Sequence, residues 1–156
     1  IDFIISSNSK AKGLNFAKKY KIKNKFFDLI NQPKDEINIL KILKKRKIKL
    51  ICLAGFMKIL SKDFIKKFDG KILNVHPSLL PKYKGLNTHQ RAIENNERFS
   101  GCTVHFVNSK LDSGKVILQK KVKIKKSDTP KKLAKKVLKV EHILYPKAIM
   151  KLYSNP

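Results

Sequence analysis

Asn74 and His76 stand two residues apart at the end of the apolar run Lys71–Val75. In a strand, that spacing puts both side chains on one face. One is a fixed amide donor, the other an imidazole that titrates near neutral pH, so together they offer hydrogen bonding and proton transfer. Pro77 and Pro81 stiffen the loop His76–Asn87 that follows. Spacing alone leaves an ordinary strand end with a surface histidine equally open. Asp112, one of only 11 acids, lies on the turn Asp112-Ser113-Gly114; on its own it reads as an ordinary turn aspartate. Glu141 falls among Val137, Leu138 and Tyr145 on an inward helical stripe, where a carboxylate needs a partner. A lysine at the rim and a bound ligand both satisfy that need. Phe56, Met57, Ile59 and Leu60 each read as core. His105 is a strand residue, His142 flanks Glu141, and His89 belongs to a short helix after Thr88. They form no metal triad, so no metal is expected.

The elements around these residues alternate. Ile1–Ser6 is apolar enough for a buried parallel strand, and Ser9 is placed to cap a helix through Tyr20 with Ala11, Leu14 and Ala17 inward. A short strand around Phe26–Leu29 follows. Pro33 opens a helix with Ile37, Leu40 and Leu43 inward. Ile48–Leu53 reads as a buried strand, and Ser61 caps a helix carrying Phe64, Ile65 and Phe68 that Gly70 closes. Lys71–Val75 is the next strand. Cys102–Val107 and Val116–Ile124 flank the Asp112 turn as an antiparallel pair. Thr129-Pro130 starts a final helix with Leu133, Val137 and Leu138 inward, and Pro146 should kink or interrupt it. This order predicts an α/β fold: a mostly parallel, Rossmann-like sheet flanked by helices, with an antiparallel addition near the C-terminus. Its site belongs at the carboxyl ends of the strands.

At 156 residues the chain is long enough for one domain, 1–156, with a real core. No apolar run has bilayer-spanning length and no secretory leader opens the chain, so a cytoplasmic protein is expected. Cys52 and Cys102 both read as buried thiols in apolar strands. The net charge is +26, yet Arg46, Arg91 and Arg98 are the only arginines among 37 basic residues. Surfaces that read bases or grip phosphates favour the forked guanidinium. Lysines spread along the chain read instead as solvated faces whose field attracts small anions.

The run Asn74-Val75-His76-Pro77-Ser78-Leu79-Leu80-Pro81 resembles the signature of the folate-dependent formyltransferases, in which Asn-x-His precedes a Ser-Leu-Leu-Pro loop. Lys82–His89 is similar to that family's glycinamide ribonucleotide branch, and Leu53–Leu60 to its folate-pocket segment. Leu111-Asp112-Ser113-Gly114 with Val116–Gln119 resembles the family's aspartate hairpin, and Glu141-His142 with Tyr145-Pro146 its last helix. Four motifs in order cover Leu53 to Pro146. The resemblance implies formyl transfer from 10-formyltetrahydrofolate to the amine of phosphoribosylglycinamide in de novo purine biosynthesis. It implies catalytic roles for Asn74, His76 and Asp112. Met57, Lys58, Ile59 and Leu60 would contact the folate together with Asn74, Val107, Asn108, Leu111 and Asp112. Pro77 and Glu141 would contact the second substrate, Glu141 through an amine or a ribose hydroxyl. In this chemistry an amide and a protonated imidazole stabilise the oxyanion, the imidazole shuttles protons, and Asp112 holds it. Partners would be these small molecules, with no metal, no membrane and no specific nucleic acid.

The family opens with a strand, a Gly-Ser-Asn phosphate loop and a helix, whereas Ile1 aligns with its second strand. The expectation is a chain incomplete at its N-terminus, lacking the first strand–loop–helix unit. Leu138 stands where the branch often has a polar ribotide-binding residue. The alternatives are a methionyl-tRNA formyltransferase-like enzyme, a formyl-folate hydrolase, and a basic nucleic-acid-binding module on a decayed enzyme fold.

Overall fold

In chain order the elements are β1 (Phe3–Ser6), α1 (Lys12–Lys19), β2 (Lys23–Phe26), α2 (Gln32–Lys45), β3 (Leu50–Leu53), α3 (Lys62–Lys67), β4 (Lys71–His76), α4 (Thr88–Glu94), β5 (Phe99–Phe106), β6 (Val116–Lys123) and α5 (Pro130–Ser154). They come from a computed structural model that describes residues 1–154. Contacts divide them into two compact units, one of Ile1–Lys49 with Phe56–Gly70, the other of Leu50–Gly55 with Lys71 onward. The α/β class and the antiparallel addition are as the sequence predicts. The strands pair as two sheets, one within each unit.

In the first unit β1 and β2 run parallel, from Phe3 beside Lys23 to Ser6 beside Phe26, with α1 between them in sequence. Several local expectations need correction here. The second strand lies at Lys23–Phe26 rather than Phe26–Leu29. Phe27 and Leu29 are buried, which is what the apolar run reported, but Leu29 has φ 56°, a left-handed turn that no strand can include. Ser9 does not cap α1. Ala11 holds the cap position without a side-chain bond, and Asn8 organises the turn by accepting from the Lys10 amide at 2.9 Å. The buried side of α2 is Glu36, Ile39 and Leu43, whereas Ile37 is half exposed. Glu36 turns the helix that way, since its carboxylate accepts from the Ser61 amide at 2.9 Å and from the Ser61 hydroxyl. Ser61 caps α3 as expected, through a 3.0 Å bond from the Phe64 amide. Gly70 does not close that helix. It is glycine because a Cβ there would lie 2.4 Å from the Lys49 carbonyl oxygen.

The second unit holds a four-stranded sheet in the order β3-β4-β5-β6. β3 and β4 are parallel; β5 runs antiparallel to both β4 and β6, with a bulge between Val104 and His105. On one face Cys102 and Val104 pack with Leu133, Val137, Leu144 and Ala148 of α5. Leu138, expected inward, is 48% exposed, because it lies well off the Leu133–Val137–Leu144 stripe. Nor does Pro146 interrupt α5, which runs unbroken to Ser154. Buried Leu144 and Ala148 anchor it on either side, and the Tyr145 hydroxyl bonds the Leu53 and Leu73 carbonyls at 2.9 and 3.1 Å. Tertiary anchoring thus offsets the lost helical donor. Cys102 is buried as expected, its thiol pushed up to about 12 by burial and by the nearby Glu141 carboxylate. Cys52, also expected inside, is exposed on β3, an end strand of its sheet.

Candidate functional site

The register of β4 against β5 assembles the polar face of the second unit. Asn74 stands opposite His105 and His76 opposite Thr103, so all four side chains share the face opposite to Cys102 and Val104. His76 is 5% exposed, which excludes the surface-histidine reading. Its Nε2 lies 2.8 Å from the Tyr83 carbonyl oxygen. A carbonyl only accepts, so Nε2 carries the proton. On the ring's other side, Nδ1 lies 3.4 Å from Asp112 Oδ2. The neutral ring can donate to one of these acceptors; the protonated ring can donate to both.

Asp112 is more than a turn aspartate. Its side chain is 8% exposed, and its backbone takes the left-handed conformation at φ 43°. Oδ2 accepts from the Gly85 amide at 2.9 Å, and Oδ1 lies 3.7 Å from His105 Nε2. The hairpin sets this position. The Phe106 amide donates to the Lys115 carbonyl, and residue 114 must be glycine because a Cβ there would come within 1.7 Å of the Phe106 carbonyl oxygen. His105 donates Nδ1–H to the Phe106 carbonyl at 2.8 Å, while among the described residues buried Nε2 has no hydrogen-bond partner. Burial holds its pKa below the ordinary value, outweighing the Phe106 carbonyl and the Asp112 charge, which act the other way. His89, also short of a partner at Nδ1, is likewise pushed down by burial and by nearby His76.

Thr103 fixes the turn after His76. Its hydroxyl donates to the Ser78 carbonyl at 2.7 Å and accepts from the Leu80 amide at 3.1 Å and Gln119 Nε2 at 2.7 Å. Asn74 is half-buried and, among the described residues, its amide makes no hydrogen bond, so a donor stands beside His76 on the same face. The structure therefore brings Asn74, His76 and Asp112 into one unit. It adds His105, Thr103, Gln119 and the main chain of Tyr83 and Gly85, which sequence reasoning missed. Only the pairing register could have pointed to His105 and Thr103.

The other predicted residues lie as follows. Pro77 is half-buried directly after β4, Val107 is half-buried, and Asn108 and Leu111 are exposed on the hairpin. Asn108 Oδ1 accepts from the Lys110 amide at 2.9 Å. Glu141 is half-buried on α5, where burial raises its pKa against the opposing effect of His142. Among the described residues no lysine or arginine forms an ion pair with it. Met57, Lys58, Ile59 and Leu60 belong to the first unit. Met57 and Ile59 are 74% and 69% exposed, so the core reading of these two is wrong. The segment is tied down through its backbone, the Ile59 carbonyl accepting from Gln32 Nε2 at 2.6 Å. Among the described residues no helix is long and apolar enough to cross a membrane.

A family model described as formyl transferase matches residues 1–149. The phosphoribosylglycinamide formyltransferase of Haemophilus influenzae is 43% identical over 149 residues, covering 94% of this chain and 70% of that protein. The human trifunctional purine biosynthetic protein adenosine-3 is 40% identical over 158 residues; the chain spans 16% of its length. The crystal structure of phosphoribosylglycinamide formyltransferase from Brucella melitensis superposes with a TM-score of 0.89 at 41% identity, over 99% of this chain and 81% of that one. The one from Bacillus halodurans has a TM-score of 0.93 at 33% identity, with the same coverage. Alike in sequence and fold over nearly its whole length, the chain belongs to the formyl transferase family, in the branch of the phosphoribosylglycinamide formyltransferases.

Proposed function

We propose that the chain transfers a formyl group from 10-formyltetrahydrofolate to the amine of phosphoribosylglycinamide, as a step of de novo purine biosynthesis in the cytoplasm. The observation that carries this reading is the constellation Asn74, His76 and Asp112 on one polar face, in a chain whose relatives bear that enzyme's name. The amine attacks the formyl carbon, a tetrahedral centre with an oxyanion forms, and the folate nitrogen departs with a proton. The Asn74 amide, which makes no hydrogen bond among the described residues, is the donor for the oxyanion, preorganised on a strand and so needing little rearrangement. His76 takes the proton of the incoming amine and delivers it to the leaving nitrogen. Asp112 stabilises the imidazolium while it carries that proton, a role that fits its position between two rings and one backbone amide.

For the formyl folate we propose Asn74, the Val107–Asp112 segment with Asn108 and Leu111, and in the first unit Met57, Lys58, Ile59 and Leu60. For the amine substrate we propose Pro77 and Glu141. Among the described residues Glu141 pairs with no lysine or arginine, which suits a carboxylate kept for a hydroxyl or an ammonium group.

The test is turnover of these two substrates by the chain and by its His76→Ala variant. The loss should be at least about a hundredfold, the scale of acid–base and oxyanion contributions. Because His76 is buried, His76→Asn serves as a second variant that keeps a polar group there, and circular dichroism checks both folds. Near-wild-type turnover in a folded variant would sink the mechanism.

A further inference from the structure

Arg91 directs its guanidinium at the loop that follows β4. Nη1 donates to the Lys84 carbonyl at 2.8 Å and to the Leu86 carbonyl at 3.3 Å. The guanidinium carbon lies 5.1 Å from the centre of the Tyr83 ring, a cation–π contact. Among the described residues Arg91 makes no ion pair, so its charge serves main-chain oxygens and one aromatic face. Tyr83, Gly85 and Asn87 all have left-handed backbones, at φ 56°, 76° and 57°. The carbonyls of the two residues between them meet on the one arginine nitrogen. A left-handed tyrosine is disfavoured by its Cβ and persists only where its surroundings hold it. Here Arg91 covers one face of the ring, and Glu97 accepts from its hydroxyl at 2.9 Å.

The same short loop supplies two contacts to the site. The Tyr83 carbonyl takes the His76 Nε2 proton, and the Gly85 amide donates to Asp112. We propose that Arg91 is a positioning residue for His76: by gripping Tyr83–Leu86 from α4, it holds the carbonyl that aims the imidazole and the amide that anchors its carboxylate partner. Lysine cannot replace it fully, since an ammonium group offers no flat face to lay on the ring. The kinetic consequence rests on the formyl-transfer reading of this site; the structural consequence does not.

The experiment follows the His76 ring directly. Histidine in the chain is labelled with nitrogen-15, and exchange of the Nε2 proton with water is measured by NMR in wild type, Arg91→Ala and Arg91→Lys. Exposed Arg98→Ala is the control. Exchange should quicken at least about tenfold in Arg91→Ala and by a smaller factor in Arg91→Lys, with the amide spectrum of β4 and β5 retained. Arg98→Ala should leave it unchanged. If Arg91→Ala does not fold, Arg91→Lys decides alone. Wild-type exchange in a folded Arg91 variant overturns the proposal. In turnover, kcat should fall about tenfold with KM nearly constant, as displacement of a reacting group requires. A raised KM with kcat unchanged also counts against it. Absence of formyl transfer in the wild-type chain would bear on the proposed function alone, while the exchange rates would still decide Arg91.

Discussion

His76 and His105 face one carboxylate from neighbouring strands and are held in opposite ways. His76 has an acceptor at each nitrogen, so protonating it completes a second interaction. His105 spends its one proton on the Phe106 carbonyl and turns an unpartnered nitrogen towards Asp112. Because burial depresses its folded pKa below the ordinary 6.5, the unfolded chain binds more protons than the folded one in the window just under pH 6.5. Stability must therefore fall as the pH drops from 6.5 towards the folded value, and level off below it. His105→Asn keeps an amide nitrogen for the Phe106 carbonyl and removes the titration. Its urea midpoint should vary less between pH 7 and pH 5.5 than that of wild type, leaving the share due to His89. Parallel curves for the two proteins would show that His105 does not titrate as burial requires. None of this is legible in the sequence. Asn74 and His76 declared themselves by spacing on a single strand, but His105 reaches Asp112 only through register.

The β5–β6 hairpin is the element that turns a surface aspartate into a buried one. Its turn was legible because Asp-Ser-Gly after an apolar strand is punctuation. Its tightness was not. The approach of the Phe106 carbonyl to residue 114 is a distance between backbone segments, and no residue type encodes it directly. Gly114→Ala should open the hairpin, lowering stability by more than about 2 kcal/mol, as forced overpacking does. Formyl transfer should fall with it, because Asp112 moves. Lys110→Ala, on the exposed outer turn, should cost under about 0.5 kcal/mol. Comparable urea midpoints for the two variants would mean that the hairpin adapts. The first unit shows the same limit: Ser61 was legible as a helix cap, yet its second partner, buried Glu36, decides which side of α2 turns inward.

At the scale of the whole molecule the charge of +26 is the strongest unassigned feature. It is carried mostly by lysines on exposed positions along the chain, with Lys120, Lys121 and Lys123 lining β6 and a further series along α5. A diffuse lysine field raises the local concentration of anions without choosing among them. Two outcomes follow. Turnover at low concentration of the phosphorylated substrate should fall as salt shortens the screening length from about 10 Å at 0.1 M to about 3 Å at 1 M. Duplex DNA should bind weakly, with an affinity that drops steeply with salt and ignores base sequence. Fluorescence anisotropy with two unrelated duplexes checks the second outcome; a tenfold preference for either would restore the nucleic-acid reading.

By itself the sequence determined what depends on neighbours along the chain. Alternation placed Asn74 with His76, strand and helix periods set the α/β order, Ser61 marked a helix start, and the ordered motifs from Leu53 to Pro146 indicated the family. Those signals are local, so they survive without coordinates. Tertiary structure decided what depends on neighbours across it. Register put His105 opposite Asn74, a 1.7 Å constraint reserved position 114 for glycine, and anchoring on both sides carried α5 through Pro146. A glutamate–serine bond holds Glu36 on the buried side of α2, where the apolar period had placed Ile37. The guanidinium of Arg91, read in the sequence as one of three scarce arginines, found its purpose only when three left-handed residues brought two carbonyls and a ring to it. Hydrophobic period records how much a residue gains from burial, whereas these contacts record which groups fit together at fixed distance, and only the folded chain brings those groups together.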